Sequence, residues 1–186
     1  MCSSYLTILI PVMEKNGDPK SSLVELLKER SELTRVLAYC NSRNEGKRFC
    51  NLLNEGGVTS IYFDGETDLE TRHRYIADLE EDRVRVLVTV RVLAEGIDIP
   101  AATTAMFVEP RNGHVQLTQC IGRVERIHRE KRMAFIVLPS VNEELELVRF
   151  LNFKYLYKRQ RNDKLSFEKR NSRIAKKKIF CVLMRK

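Results

Sequence analysis

VRVLVT, residues 84–89, is a short run of β-branched residues and leucine that leads into AEGIDIP (94–100), where a glycine between two carboxylates and a closing proline suit a tight strand-end turn. Such a run reads as a buried strand. Five more runs of the same kind recur along the chain: YLTILIPV (5–12), RVLAYC (35–40), VTSIYF (58–63), TTAMFV (103–108) and MAFIVLP (133–139). Helical patterns separate them. Strands that alternate with helices predict an α/β fold with a mostly parallel sheet and helices on its faces.

The helix starts are marked by S/T-x-x-E capping boxes at Ser22/Glu25, Ser42/Glu45, Thr67/Glu70 and Ser140/Glu143, which predict four helices. Leu23/Leu26/Leu27, Phe49/Leu52/Leu53, Leu69/Ile76/Leu79 and Leu145/Val148/Leu151 supply apolar faces at helical spacing. Gly56-Gly57 closes the second helix. These stripes are core and carry no function.

A chain of 186 residues can bury one ordinary core and is too short for two full α/β domains. The net charge of +8 is unevenly placed. Residues 158–186 hold 12 Lys and Arg against 2 Asp and Glu, which leaves 21 against 23 in residues 1–157. The expected organisation is therefore a domain over 1–157 and a basic extension over 158–186. Solubility or loose polyanion contact is the ordinary role of such a tail, with an electrostatic nucleic-acid anchor as the alternative, and its IFCVLM stretch (179–184) could equally dock on the domain or on a partner. Five cysteines, odd in number and without a C-x-x-C pair, signal neither a disulfide framework nor a zinc site. His73, His114 and His128 share no metal-ligand spacing. The longest apolar run, Tyr5 to Met13, is far short of a bilayer span and has no charged leader. The expectation is an intracellular protein of cytoplasm or nucleus, with no membrane partner.

In an open α/β sheet, ligands bind beyond the carboxyl ends of the strands. The segments found there are NSR (41–43), DGET (64–67), RVLAEGIDIP (91–100), EPRNG (109–113) and the loop after Leu138. Beyond them stands QCIGRVER (119–126). On a helical wheel with Gln119 at zero, Arg123 falls at about +40°, Arg126 at about −20° and Gly122 at about −60°, with Leu117, Ile121 and Val124 opposite. A solvated arginine face is the usual fate of such a stripe. Gly122 argues otherwise, since a glycine inside a helix costs roughly 1 kcal/mol relative to alanine and lies beside the polar face as though something must come close. Paired guanidiniums suit phosphate oxygens. Asp98 suits a ribose hydroxyl, the arginine helix, or a bare loop. Capping explains Ser42 with Arg43, with phosphate contact as a second possibility. The helix start at DGETDLETR (64–72) has free N–H groups that could hold a phosphate, but capping explains it equally and Asp64, Glu66, Asp68 and Glu70 should repel an anion.

The order NSR, DGET, VTVRVLAEGIDIP and QCIGRVER closely resembles the second RecA-like lobe of superfamily-two helicases over residues of about 5 to 155. In that resemblance NSR corresponds to motif IV, Thr89 to Pro100 to motif V, and Gln119 to Arg126 to motif VI, Q-x-x-G-R-x-x-R. It implies a three-layer RecA-like domain in which Arg123 and Arg126 reach the γ-phosphate of ATP, with Arg126 the arginine finger proper and Gln119 placing them. Gly96 and Asp98 would lie at the nucleotide cleft. Ser42, Arg43, Gly65, Thr67 and Thr89 would line the phosphodiester track of a bound DNA or RNA strand. The motif V segment departs from many relatives, which have an aspartate near Arg91 or a threonine where Val90 stands.

A working helicase of this class also needs a first lobe with G-x-x-x-x-G-K-[ST] and an acidic D-E-x-x box for magnesium. Neither occurs here: the only Gly-Lys, Gly46-Lys47, is followed by Arg48, and no Asp precedes a Glu. ATP and Mg2+ are therefore expected only with a first RecA-like lobe supplied by another chain, and the chain alone is expected to be inert. Three readings follow: half of an enzyme that pairs with a first-lobe protein, a nucleic-acid-binding module without catalysis, or a truncated relic of a longer helicase.

Overall fold

The computed structural model describes residues 6–13, 19–90, 99–109, 114–124, 126, 133–140 and 179–181. Strands and helices follow in the order β1 (Leu6–Met13), α1 (Pro19–Glu29), β2 (Val36–Cys40), α2 (Arg43–Glu55), β3 (Ser60–Phe63), α3 (Leu69–Glu80), β4 (Val86–Val90), β5 (Thr104–Phe107), α4 (His114–Val124), β6 (Met133–Ser140) and β7 (Ile179–Cys181). The strands form one sheet in the spatial order β3-β4-β2-β5-β6-β1-β7. Every pairing among them is parallel, with Val36 opposite both Val86 and Thr104, Ser60 opposite Val86, Thr104 opposite Phe135, Leu6 opposite Met133 and Thr7 opposite Ile179.

Alternation along each strand divides the apolar residues between two faces. Val36, Ala38 and Cys40 of β2, with Val86 and Val88 of β4, pack against Leu23 and Leu27 of α1 and Phe49 and Leu53 of α2. Leu37 and Tyr39 face the other way with Leu87 and Phe107, against Ile76 and Leu79 of α3 and Cys120, Ile121 and Val124 of α4. The rings of Tyr39 and Phe107 stack there at 5.5 Å. The result is a three-layer α/β fold, as the alternation of strands and helices predicts. Cys40, Cys50 and Cys120 are buried free thiols.

All six predicted strands are present, and β7 adds a seventh from within the 158–186 segment, laid alongside β1. The helix starts differ more. Ser42 caps α2 as predicted, its Oγ accepting from the Glu45 N–H at 3.3 Å. Ser22 does not cap α1, because Pro19 already opens that helix and Ser22 lies buried inside it. At α3 the cap is Asp68, which accepts from the Thr71 N–H at 2.8 Å, since the Thr67 hydroxyl accepts instead from the Asp64 N–H at 3.2 Å. Leu69 is consequently the first helical residue and is 60% exposed, not core. The Ser140/Glu143 box and the Leu145/Val148/Leu151 stripe run outside the described residues. Helix α2 ends through Gly56 and Gly57, and Gly57, at φ +80°, supplies the left-handed turn.

At the amino edge of the sheet, Arg85 donates to the carbonyls of Arg30 and Leu33 at 2.7 and 3.0 Å, satisfying groups just beyond the end of α1. Arg35 meets Asp82 through two hydrogen bonds of 3.1 Å. No helix among the described residues is long and apolar enough to cross a membrane.

Candidate nucleic-acid and nucleotide interface

The chain leaves β2 toward one edge of the sheet through α2 and leaves β5 toward the other through α4, on the opposite face. The carboxyl ends of β2 and β5 therefore flank a topological switch point, where a doubly wound sheet opens a crevice. There the Asn41 N–H donates to the Glu109 carboxylate at 2.7 Å, tying the loop after β2 to the loop after β5.

Beside this crevice, the loop after β3 reaches across to the start of α2. Arg43, about half exposed, sends its Nε to Asp64 Oδ2 at 3.3 Å and its Nη1 to Glu66. Asp64 is held in turn by the Tyr62 hydroxyl at 2.8 Å and by the Glu66 N–H at 2.9 Å. Burial alone would raise the Asp64 carboxyl, but the Glu66 N–H, the Tyr62 hydroxyl and Arg43 outweigh it and keep it below the ordinary carboxylate value. Burial and the hydrogen bond to Asp64 push the Tyr62 hydroxyl well up, so it stays a donor at neutral pH. The hydrogen bond that Arg43 donates to Glu66 raises its guanidinium further. Arg72 of α3 donates to the Gly65 carbonyl at 2.7 Å, fixing the other flank of the loop. Nothing lies within 4 Å of where a Gly65 side chain would stand, so the loop's backbone is open on that side.

Beneath the loop, Gly46 lets α2 approach β3: a Cβ there would stand 2.6 Å from Tyr62 Cε2. The Lys47 ammonium lies 5.9 Å from the Tyr62 ring centre.

The structure thus brings Ser42, Arg43, Gly65 and Thr67 together at the carboxyl edge. Thr89 does not join them as an exposed group, since it lies in β4 opposite Tyr39 and Phe63 and is 1% exposed. Gly96 and Asp98 fall outside the described residues. The motif V segment re-enters the described chain at Ile99, which is fully buried. On α4 the inner residues Cys120, Ile121 and Val124 are buried, Gln119 is exposed and Arg123 is partly buried. The helix ends at Val124, so the exposed Arg126 stands beyond it rather than on the wheel position that a continued helix would assign. Among the described residues no group of three or more His, Cys, Asp or Glu fits a metal ion.

Tyr62 and Glu109 were not singled out by the sequence. In the sequence Asp64 and Glu66 stand only as charges that should repel an anion. The signal for their pairing was the opposite charge of NSR and DGET, which becomes informative once β2 and β3 are known to point the same way.

The helicase conserved C-terminal domain family matches residues 18–128. The chain belongs to that family. It is similar to putative helicase 22 of Sulfolobus islandicus filamentous virus (isolate Iceland/Hveragerdi), 23% identical over 154 residues that cover 81% of this chain and 27% of that protein. ATP-dependent RNA helicase SrmB of Escherichia coli (strain K12) is 38% identical over 109 residues, 58% of this chain and 24% of SrmB. This helicase C-terminal domain thus spans about a quarter of the length of these curated relatives. Among solved structures, the E. coli DEAD-box protein SrmB bound to regulator of ribonuclease activity A superposes with a TM-score of 0.60 at 28% identity, covering 76% of this chain and 81% of that one. The C-terminal domain of the DEAD-box protein Dbp5 superposes with a TM-score of 0.62 over 82% of this chain and 86% of that one, and its 21% identity speaks to the fold alone. The fold is that of a superfamily-two RecA-like second lobe.

Proposed function

We propose that this domain works as the second lobe of an ATP-driven nucleic-acid motor whose first lobe comes from outside these 186 residues. The observation that carries the reading is the division of α4: Cys120, Ile121 and Val124 are sunk in the core, while Gln119 is exposed, Arg123 is only partly buried in the last turn and Arg126 is exposed just past the helix. Paired guanidiniums suit the terminal oxygens of a triphosphate. In this reading Arg126 is the arginine finger, Arg123 assists it, and Gln119 places both. Gly96 and Asp98 stand at the nucleotide cleft. Ser42, Arg43, Gly65 and Thr67 hold the phosphodiester backbone of DNA or RNA, with Thr89 supporting them from within the sheet.

Magnesium and the phosphate cradle would belong to the first lobe, which supplies charge neutralisation of the β- and γ-phosphates when nucleotide is bound. The chain's own contribution is positive charge placed on the outer oxygens, and an arginine finger of this kind accelerates phosphoryl transfer by roughly 10³ to 10⁵ once the rest of the site exists. The test is ATP turnover by the purified chain, with and without single-stranded DNA and RNA, alone and mixed with a candidate first lobe. The expected result is no turnover alone above Arg126→Ala, and a gain on mixing that Arg126→Ala abolishes. Turnover by the chain alone that depends on Arg126 would overturn the two-lobe reading.

A second reading, a nucleic-acid-binding module without catalysis, draws on the 12 Lys and Arg of residues 158–186. It expects binding that survives Arg126→Ala, weakens steeply with salt and collapses when 158–186 are deleted.

A further inference from the structure

Arg43, read above as a backbone contact, is paired with two of the protein's own carboxylates, Asp64 and Glu66, and the two differ in kind. Asp64 is 11% exposed and is fixed by the Tyr62 hydroxyl and the Glu66 N–H before it meets Arg43 Nε. It positions the guanidinium. Glu66 is 73% exposed, and its side chain reaches only Arg43 Nη1 among the described residues. It adds nothing to the packing of the loop, whose turn is already closed by the Thr67 N–H to the Asp64 carbonyl at 3.2 Å and by Arg72 on Gly65.

We propose that Glu66 is a built-in occupant of Arg43, a carboxylate that a nucleic-acid phosphate must displace, so that the loop after β3 weakens strand binding at this edge. The inference rests on the reading of Arg43 as a backbone contact and adds to it a competitor supplied by the chain itself. Displacement is feasible because an exposed ion pair is weak, and because a guanidinium takes a phosphate through two parallel hydrogen bonds. Asp64 stays in place throughout and keeps the Nε edge aimed, so one carboxylate serves binding and its neighbour opposes it.

The experiment is fluorescence anisotropy of a labelled oligouridylate against the full chain at low salt, with Glu66→Gln, Arg43→Ala, the double variant, and Glu70→Gln. Glu70 is exposed on the same helix start, so its variant removes the same charge without touching Arg43. Glu66→Gln should tighten binding about threefold, the scale of an exposed ion pair, and the gain should vanish in the Arg43→Ala background. Glu70→Gln should give less than half of that gain. The salt dependence of Glu66→Gln should steepen by up to about one phosphate contact, because an unpaired guanidinium releases a counterion that a paired one does not. A gain that persists without Arg43, or is matched by Glu70→Gln, reports general charge and overturns the proposal, as does no gain at all. Arg43→Ala with unchanged affinity overturns the underlying contact instead, whatever Glu66→Gln does. Circular dichroism of each variant identifies any that fail to fold.

Discussion

Replacing Gly46 with alanine should destabilise the domain, against the usual sign for a glycine inside a helix. Alanine ordinarily gains about 1 kcal/mol over glycine at such a position. Here the new Cβ would stand 2.6 Å from Tyr62 Cε2, 3.1 Å from Tyr62 Cδ2 and 3.3 Å from Val90 Cγ2. The ring has little freedom to retreat, because its hydroxyl is tied to Asp64 at 2.8 Å. Overpacking of this kind costs about 1 to 3 kcal/mol, so the net effect is a loss of about 1 kcal/mol after the helical gain is set against it. Urea unfolding followed by circular dichroism reads it as a lower midpoint at unchanged slope. Tyr62→Phe frees the ring from Asp64, so Gly46→Ala should cost less in that background than in the parent. A Gly46→Ala protein more stable than the parent by about 1 kcal/mol would refute the close packing of α2 on Tyr62.

Two further outcomes follow from the backbone and the charges. Asp82 has φ +57°, so Asp82→Ala should be less stable than Asp82→Gly by about 1 kcal/mol although both lose the Arg35 pair, and equal stabilities in urea would count against a left-handed residue there. Asp64 has a depressed folded-state value, so its ionised form stabilises the fold above the unfolded value of about 3.9, and that contribution is lost as pH falls through the folded value. The gap in melting temperature between the parent and Asp64→Asn should therefore be full at neutral pH and close in strong acid; a gap independent of pH would show that the charge does not matter.

The strands were legible because each is a short apolar run, as parallel strands buried on both faces are expected to be. The Ser42 cap was legible for a local reason too, since the cap and its N–H partner are three residues apart. What the sequence could not reveal was non-local or competitive. At Thr67 two neighbouring caps were available, and the bond from the Asp64 N–H decided for Asp68 by engaging the threonine hydroxyl. The exposure of Leu69 follows from that shift. The wheel placed Arg126 beside Gln119 by extending a helix that ends at Val124. Pairing of Arg43 with Asp64 and Glu66 joins residues 21 and 23 positions apart, and the sheet order, which no local pattern encodes, is what makes them neighbours.

The position of β1 has a consequence for how the chain is made. Its sheet neighbours are β6 and β7, so residues 6–13, made before the other six strands, meet their earliest partner only when residues 133–140 have emerged. The central strands β2, β3, β4 and β5 need nothing beyond Phe107 to pair with one another. Pairings of such long reach form slowly, and an unpaired strand invites association with other chains while it waits. On the ribosome the middle of the sheet can therefore assemble first, with the opening strand held in reserve until the later half of the chain arrives to receive it.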